Sequence, residues 1–241
     1  MRLFVNELCK IKVSKSVKVI TIVFFCFAVL AGSVWKKSST AVSTYGFGAP
    51  FMWIIANGAA GYFLYAAIVA RLFASEFELG VLHNALGSGV RRSSYFIAKV
   101  IAVFFVTILI YFSGIGALFL FKCLTAGFDP EGLVFAGYGL KVLVFNGWAI
   151  CSLLSYVAVY IFIACLFREA ISTFIASLVV TLCEFFNLFR GPARIAMDAI
   201  FYVERDRILS PDFASLFTPC ICILIISLTA AYILFLVQDV D

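Results

Sequence analysis

The chain has 241 residues, of which 64% are hydrophobic and 13% charged, with a formal net charge of +5 and a mean hydropathy of +1.12. A soluble domain is about 45–50% apolar and about 25% charged, so this composition excludes one. With 16 Gly, 5 Pro and apolar residues in long blocks, collagen-like, disordered and disulfide-scaffold proteins are excluded as well, and an all-α membrane protein is expected.

A bilayer core about 30 Å thick is crossed by about 20 apolar residues at about 1.5 Å each. Residues 1–16 precede the first such stretch. They read as an amphipathic interfacial helix, with Phe4, Leu8 and Ile11 on one side and Arg2, Glu7, Lys10 and Lys12 directed elsewhere. The lysines there would be drawn to anionic lipid headgroups. Six stretches are long enough to cross: Val17–Trp35, Phe51–Phe73, Tyr95–Phe121, Val142–Phe167, Ala170–Leu188 and Ala214–Val237. The first has the basic lead of a secretory signal, but five further spans favour a retained helix. The longest piece between spans, Phe189–Phe213, has 25 residues, too short for a soluble domain of about 50 residues or more. Any catalytic or energy-coupling domain is therefore expected on another chain.

The loop after the second span is the most informative segment. Ser75 followed by Glu78 fits a capping box. Leu79, Leu82 and Leu86 then recur on one helical face, and Gly87 and Gly89 supply a stop. A short cytoplasmic helix over Ser75–Leu86 is predicted, with an apolar stripe that rests on the membrane or docks in a groove of another protein. Between the fourth and fifth spans only Arg168 and Glu169 remain. From Pro192 to Leu209 the apolar residues Ile195, Ala199, Tyr202 and Ile208 fall near helical intervals, which predicts a further helix along the outer surface.

Lys and Arg set the orientation. With the N-terminus inside, the inner segments hold ten and the outer segments eight, and the excess comes from the first two inner segments. Both termini are therefore expected in the cytoplasm, with the chain in the cell membrane.

Chemistry-bearing residues are few. His83 is the one histidine in the chain, which excludes two-histidine zinc sites and makes solvated surface or a partner contact its expected role. Eight cysteines contain no CxxC pair, so they read as small apolar packing residues and no metal site is expected. Glu184 is the acid deepest in a span. A carboxylate at mid-bilayer costs about 2.5–3.5 kcal/mol. It lies four residues before the predicted end of span five, which suggests an interfacial position, with the transport path or an outer vestibule as the alternative. Ala56 with Ala60, and Gly147, Cys151 and Ser155 at four-residue steps, would let helices approach closely. Asn57, Asn146 and Gln238 are too few for a hydrophilic pore, and 28 Phe suit an apolar route better than an ion path.

Glu76, Glu78, Leu79, Gly80 and Leu82, then Gly87, Arg91, Arg92 and a Lys99 opening span three, together resemble the ABC-2-type permeases, the membrane subunits of ATP-driven exporters. The resemblance extends to the basic amphipathic tail, the six spans, the short turn at Arg168 and the longer segment before the last span. It implies that Ser75, Glu76, Phe77, Glu78, Leu79, Leu82, His83 and Leu86 form a coupling helix seated on a separate ATP-binding subunit, which would carry the ATP and Mg. It further implies a second permease copy or a paralogue as partner, an amphipathic peptide, antibiotic or lipid-like cargo, no nucleic acid and no catalytic residue. The sequence has no phosphate loop, since Gly87-Ser-Gly-Val-Arg-Arg-Ser lacks its spacing and its lysine. A stand-alone secondary transporter would need internal repeats and buried ion-binding acids. An integral-membrane enzyme would need paired acids, metal ligands or a nucleophile with its base.

Overall fold

The structure is a computed structural model that describes residues 2–35, 60–81, 87, 89–126, 139–186, 188 and 210–237. Those residues are mostly helical and contain no strand. In chain order the helices are α1 (Arg2–Val13), α2 (Lys15–Trp35) and α3 (Ala60–Val69), a π-helical turn (Ala70–Ala74), α4 (Ser75–Glu78), α5 (Arg92–Ala126), α6 (Gly139–Phe167), α7 (Ala170–Phe185), α8 (Pro211–Ser215) and α9 (Phe217–Val237). Among the described residues three segments, Arg92–Ala117, Leu143–Phe167 and Pro211–Val237, are long and apolar enough to cross a membrane. Ala56, Asn57, Leu82, His83, Leu86, Gln238 and the predicted outer helix within Pro192–Leu209 lie outside the described residues.

Helices apolar on every side need an apolar surrounding as well as an apolar core. On α5, Ile97, Ile101, Phe105, Leu109 and Phe112 recur at helical spacing and are each about half exposed, while Ala102, Val103, Val106 and Ile110 are buried. One face therefore packs inward and the other is left as an exposed apolar surface. The last helix is more open still, with Ile221, Ile225, Ile226, Ile233 and Val237 exposed along it.

The most centrally placed helix is α6, which touches α3, α5, α7 and α9. Its Trp148, Tyr156 and Tyr160 are among the largest fully buried side chains. Buried hydroxyls join it to its neighbours. Tyr111 of α5 donates to Asn146 Oδ1 at 2.7 Å, and Ser155 Oγ approaches both the Cys151 carbonyl at 2.8 Å and the Cys220 carbonyl of α9 at 2.7 Å. Ser155 thus sits at a close helix crossing, whereas Gly147, one end of the predicted small-residue stripe, is exposed and nothing lies within 4 Å of a Cβ built there. Just before α9, Ser210 caps α8 by accepting from Phe213 N at 3.2 Å, with Pro211 in the first turn. Phe213 then packs on Trp148 with ring centroids 5.9 Å apart.

Two boundaries differ from the sequence expectation. The second span's helix does not end at Phe73; it continues through the π turn to Glu78. Nor does Ser75 open a helix. The preceding Ala74 is already helical and makes no side-chain cap, and Ser75 Oγ donates back to the Arg71 carbonyl. With helix before it, the Ser75 amide has a backbone acceptor in Ala70 O, so no capping box is needed. A single helix over Ser75–Leu86 is not formed either, because the chain turns at Leu79 and at Gly80, whose φ of +65° is a left-handed conformation that favours glycine.

Replacing Ser155 by Val is expected to cost about 1–3 kcal/mol, because the Cys220 carbonyl loses its side-chain donor and the added methyl crowds the α6–α9 crossing. The unfolding midpoint of the detergent-solubilised protein would report it, while Gly147→Ala, with open space around it, would leave that midpoint nearly unchanged.

Candidate functional site

At one end of the bundle four charges close into a ring. Glu7 lies on α1, three residues before Lys10, so both side chains rise from the same helical face. Glu76 comes from α4 and Lys99 from the second turn of α5. Lys99 Nζ is 2.6 Å from Glu7 Oε2 and 2.7 Å from Glu76 Oε1. Lys10 Nζ is 2.6 Å from Glu7 Oε1 and 3.4 Å from Glu76 Oε1. Tyr95, one turn before Lys99, donates its hydroxyl to Glu76 Oε2. The side chains of Lys99 and Glu7 are 5% and 6% exposed, against 49% for Lys10, so three elements meet over a buried core of two opposite charges.

The ring rests on an aromatic plate. Phe235, near the end of α9, lies 5.2 Å from Phe96, 6.0 Å from Phe77 and 6.4 Å from a parallel Tyr95. Phe73 packs on Phe96 and Phe77, each at 5.9 Å. Two more contacts gather the remaining ends here: Arg92 Nη1 donates to the Leu236 carbonyl at 3.4 Å, and Ala170 N, opening α7, donates to Glu78 Oε2 at 3.3 Å. The ends of α1, α4 and α9 and the starts of α5 and α7 therefore converge.

Burial raises the pKa of Glu7, but the charges and hydrogen bonds of Lys99 and Lys10 outweigh it and hold the carboxyl below its ordinary 4.5. Burial lowers that of Lys10, but its bond to Glu7 and the nearby Glu76 charge outweigh this and keep it above its ordinary 10.5.

The structure sorts the residues picked out in the sequence. Glu76 turns inward to the ring, and Phe77 packs into the plate. Glu78 is exposed and holds the start of α7, and Leu79 is 67% exposed. Glu7 was expected to point away with the polar face of α1; instead it is buried, because Lys99 and Lys10 supply the counter-charge that makes its burial affordable. No periodicity signals this, since the partner lies 92 residues away. Lys99 was marked in the sequence only as the residue opening span three.

Glu184 is turned into the bundle. Its carboxylate is buried and accepts from Tyr156 OH at 2.5 Å. Tyr160 OH lies 2.7 Å from Thr181 Oγ1 beside it, and the Tyr62 ring packs tilted against Tyr156 with centroids 4.3 Å apart. Tyrosine hydroxyls give the carboxylate a polar lining that its sequence position does not reveal. Among the described residues no cluster of His, Cys, Asp or Glu has a metal-binding arrangement, and Cys9, Cys26, Cys151, Cys165, Cys183, Cys220 and Cys222 are free thiols.

Lys99→Met leaves Glu7 and Glu76 facing each other with only the half-exposed Lys10 between them, a loss of about 3–5 kcal/mol in thermal unfolding. The pH dependence has a defined sign. A lowered carboxyl pKa adds stability above pH 4.5 that is lost as pH falls through the folded value, and a raised lysine pKa adds stability below pH 10.5 that is lost as pH rises through it. The protection factors of the amides over residues 2–13, corrected for the intrinsic pH dependence of exchange, should therefore be flat between these limits and fall on acidification below the lower one.

The family model described as ABC-2 family transporter protein matches residues 3–184, a range that includes all four members of the charge ring and stops before α9. Comparison with curated proteins finds no match. With three-quarters of the chain matched and apolar helices gathered around α6, the chain belongs to the ABC-2 transporter family, as a membrane permease subunit of an ABC transporter that works with an ATP-binding partner rather than as an enzyme.

Proposed function

We propose that this permease crosses the cell membrane six times, pairs with a second copy or a paralogue, and exports an amphipathic peptide, antibiotic or lipid-like cargo using two ATP-binding subunits that hold the ATP and Mg. In this reading the end carrying the charge ring is cytoplasmic, together with both chain termini. The α1 helix lies along the inner leaflet, where the exposed Lys10, Lys15 and Lys18 meet anionic headgroups. The abundance of Phe and the scarcity of polar groups in the spans support an apolar route for the cargo. Glu184, lined by tyrosines, is the polar point on or beside that route.

The observation that carries the reading is the contrast across Glu76 and Leu79. Glu76 is fixed to α1 and α5 through Lys99, while three residues later Leu79 is an exposed apolar side chain at a turn. A rigidly mounted apolar knob is what a partner's groove can grip and push. Phe77, packed on the plate, and Ser75, bonded to the Arg71 carbonyl, serve as the mount. Leu79 and, beyond it, Leu82, His83 and Leu86 serve as the docking surface.

Leu79→Asp with Leu82→Asp is expected to lower copurification of the ATP-binding subunit that the unaltered permease captures by roughly tenfold or more, as for a central interface anchor. Glu76→Gln is expected to weaken the mount and lower thermal stability before it affects the contact surface. Full retention of ATPase binding by the double Asp variant would refute the docking assignment.

A further inference from the structure

Glu76 and Glu78 lie two residues apart yet hold different parts of the bundle. Glu76 faces the ring on α1 and α5. Glu78 faces the other way, and its Oε2 accepts from Ala170 N at 3.3 Å, across 92 residues of chain. The start of α7 has few restraints of its own making. Its N-cap, Glu169, is extended and gives no side-chain cap; the Glu169 carboxylate accepts instead from Ser172 Oγ at 2.7 Å. A free amide at the positive end of a helix favours a carboxylate acceptor, and Glu78 supplies one. Arg168, with φ of +58°, closes the turn from α6 in the left-handed region, so the hinge is short.

Along its length α7 packs on α3, on α6 and on the π turn. Its buried face carries Thr173 and Ser177, one turn apart, and neither hydroxyl has a hydrogen-bond partner among the described residues. Sliding at that level breaks no side-chain bond from these two groups. The contact at Glu78 then sets how far α7 stands from the docking segment.

We propose that Glu78 is a positioning residue that carries displacement of the Leu79 turn to α7, while Glu76 carries the same displacement to α1 and α5. This rests on the reading of that turn as the docking segment. A push on Leu79 then reaches both sides of the bundle at once, through one buried ring and one exposed bond. The far end of α7 holds Glu184, so the bond at Ala170 links the docking segment to the tyrosine-lined carboxylate through a single helix.

The test uses full-length Glu78→Ala and Glu78→Gln, alone and in complex with the ATP-binding subunit. Gln keeps an acceptor oxygen and loses the charge; Ala loses both. In the isolated permease, amide exchange at the start of α7 is expected to rise roughly 3- to 10-fold in Glu78→Ala and to be largely restored in Glu78→Gln. In the complex, adding MgATP is expected to change exchange at the start of α7 in the unaltered protein and in Glu78→Gln, but not in Glu78→Ala. Unchanged exchange in the isolated Ala variant overturns the contact. A preserved MgATP response at α7 in the Ala variant overturns the transmission. Loss of the complex with exchange unchanged also overturns it, and makes Glu78 a docking contact instead. Because the isolated-permease measurement needs no partner, failure of the docking assignment would appear separately, as the complex surviving the double Asp variant.

Discussion

A charge taken out of water at the end of a membrane bundle must find its opposite there, and the arrangement of this end of the protein follows from that requirement. The penalty for burying an ion remains several kcal/mol after relaxation and is offset only when the partner geometry is close. Lys99 meets it with two carboxylates at 2.6 and 2.7 Å, and Glu7 meets it with two lysines. Because the four charges sum to zero, the ring can be held against the bundle, but its members cannot be separated without leaving an unpaired charge behind. That couples three segments, α1, α4 and α5, whose sequences are far apart. Such a ring is better understood as fixing register than as a large source of stability, since an apolar replacement of the whole set could pack as well.

The π turn decides where those charges point. One extra residue in a helix rotates everything after it by about 100°, and the turn at Ala70–Ala74 comes immediately before α4. It therefore sets which way Glu76 and Glu78 face, one toward the ring and the other toward α7. The aromatic plate of Phe73, Phe77, Phe96 and Phe235 then fills the space beneath, giving the charged layer an apolar floor that excludes water and strengthens the pairs.

Deeper in the bundle the same requirement is met by hydroxyls rather than by opposite charge. Glu184 has Tyr156 as donor, with Tyr160, Thr181 and Tyr62 beside it. Thr173 and Ser177, nearer the start of α7, lie on its buried face with no hydroxyl partner among the described residues. The bundle thus has one end held by ion pairs and a polar interior along α7 whose hydroxyl bonds to α6 gather near Glu184.

The sequence by itself determined the membrane class, because an all-round apolar helix has one stable environment, and that property is carried by composition alone. It also determined the location of the helices Lys15–Trp35, Arg92–Ala126, Gly139–Phe167 and Phe217–Val237 to within a few residues, since length and hydropathy are local quantities. The resemblance carried by Glu76 through Lys99 pointed to the ABC-2 family, which the match over residues 3–184 bears out. What local patterns could not reach is the direction in which a side chain finds its partner. Ser75 and Glu78 matched a capping box, yet the π turn keeps the helix continuous and sends Glu78 to Ala170 instead. Glu7 matched the polar face of a surface helix, yet Lys99 draws it inward, and the Tyr156 hydroxyl that meets Glu184 lies 28 residues away. In each case the deciding interaction spans distant parts of the chain, and only the tertiary structure brings those parts within bonding distance.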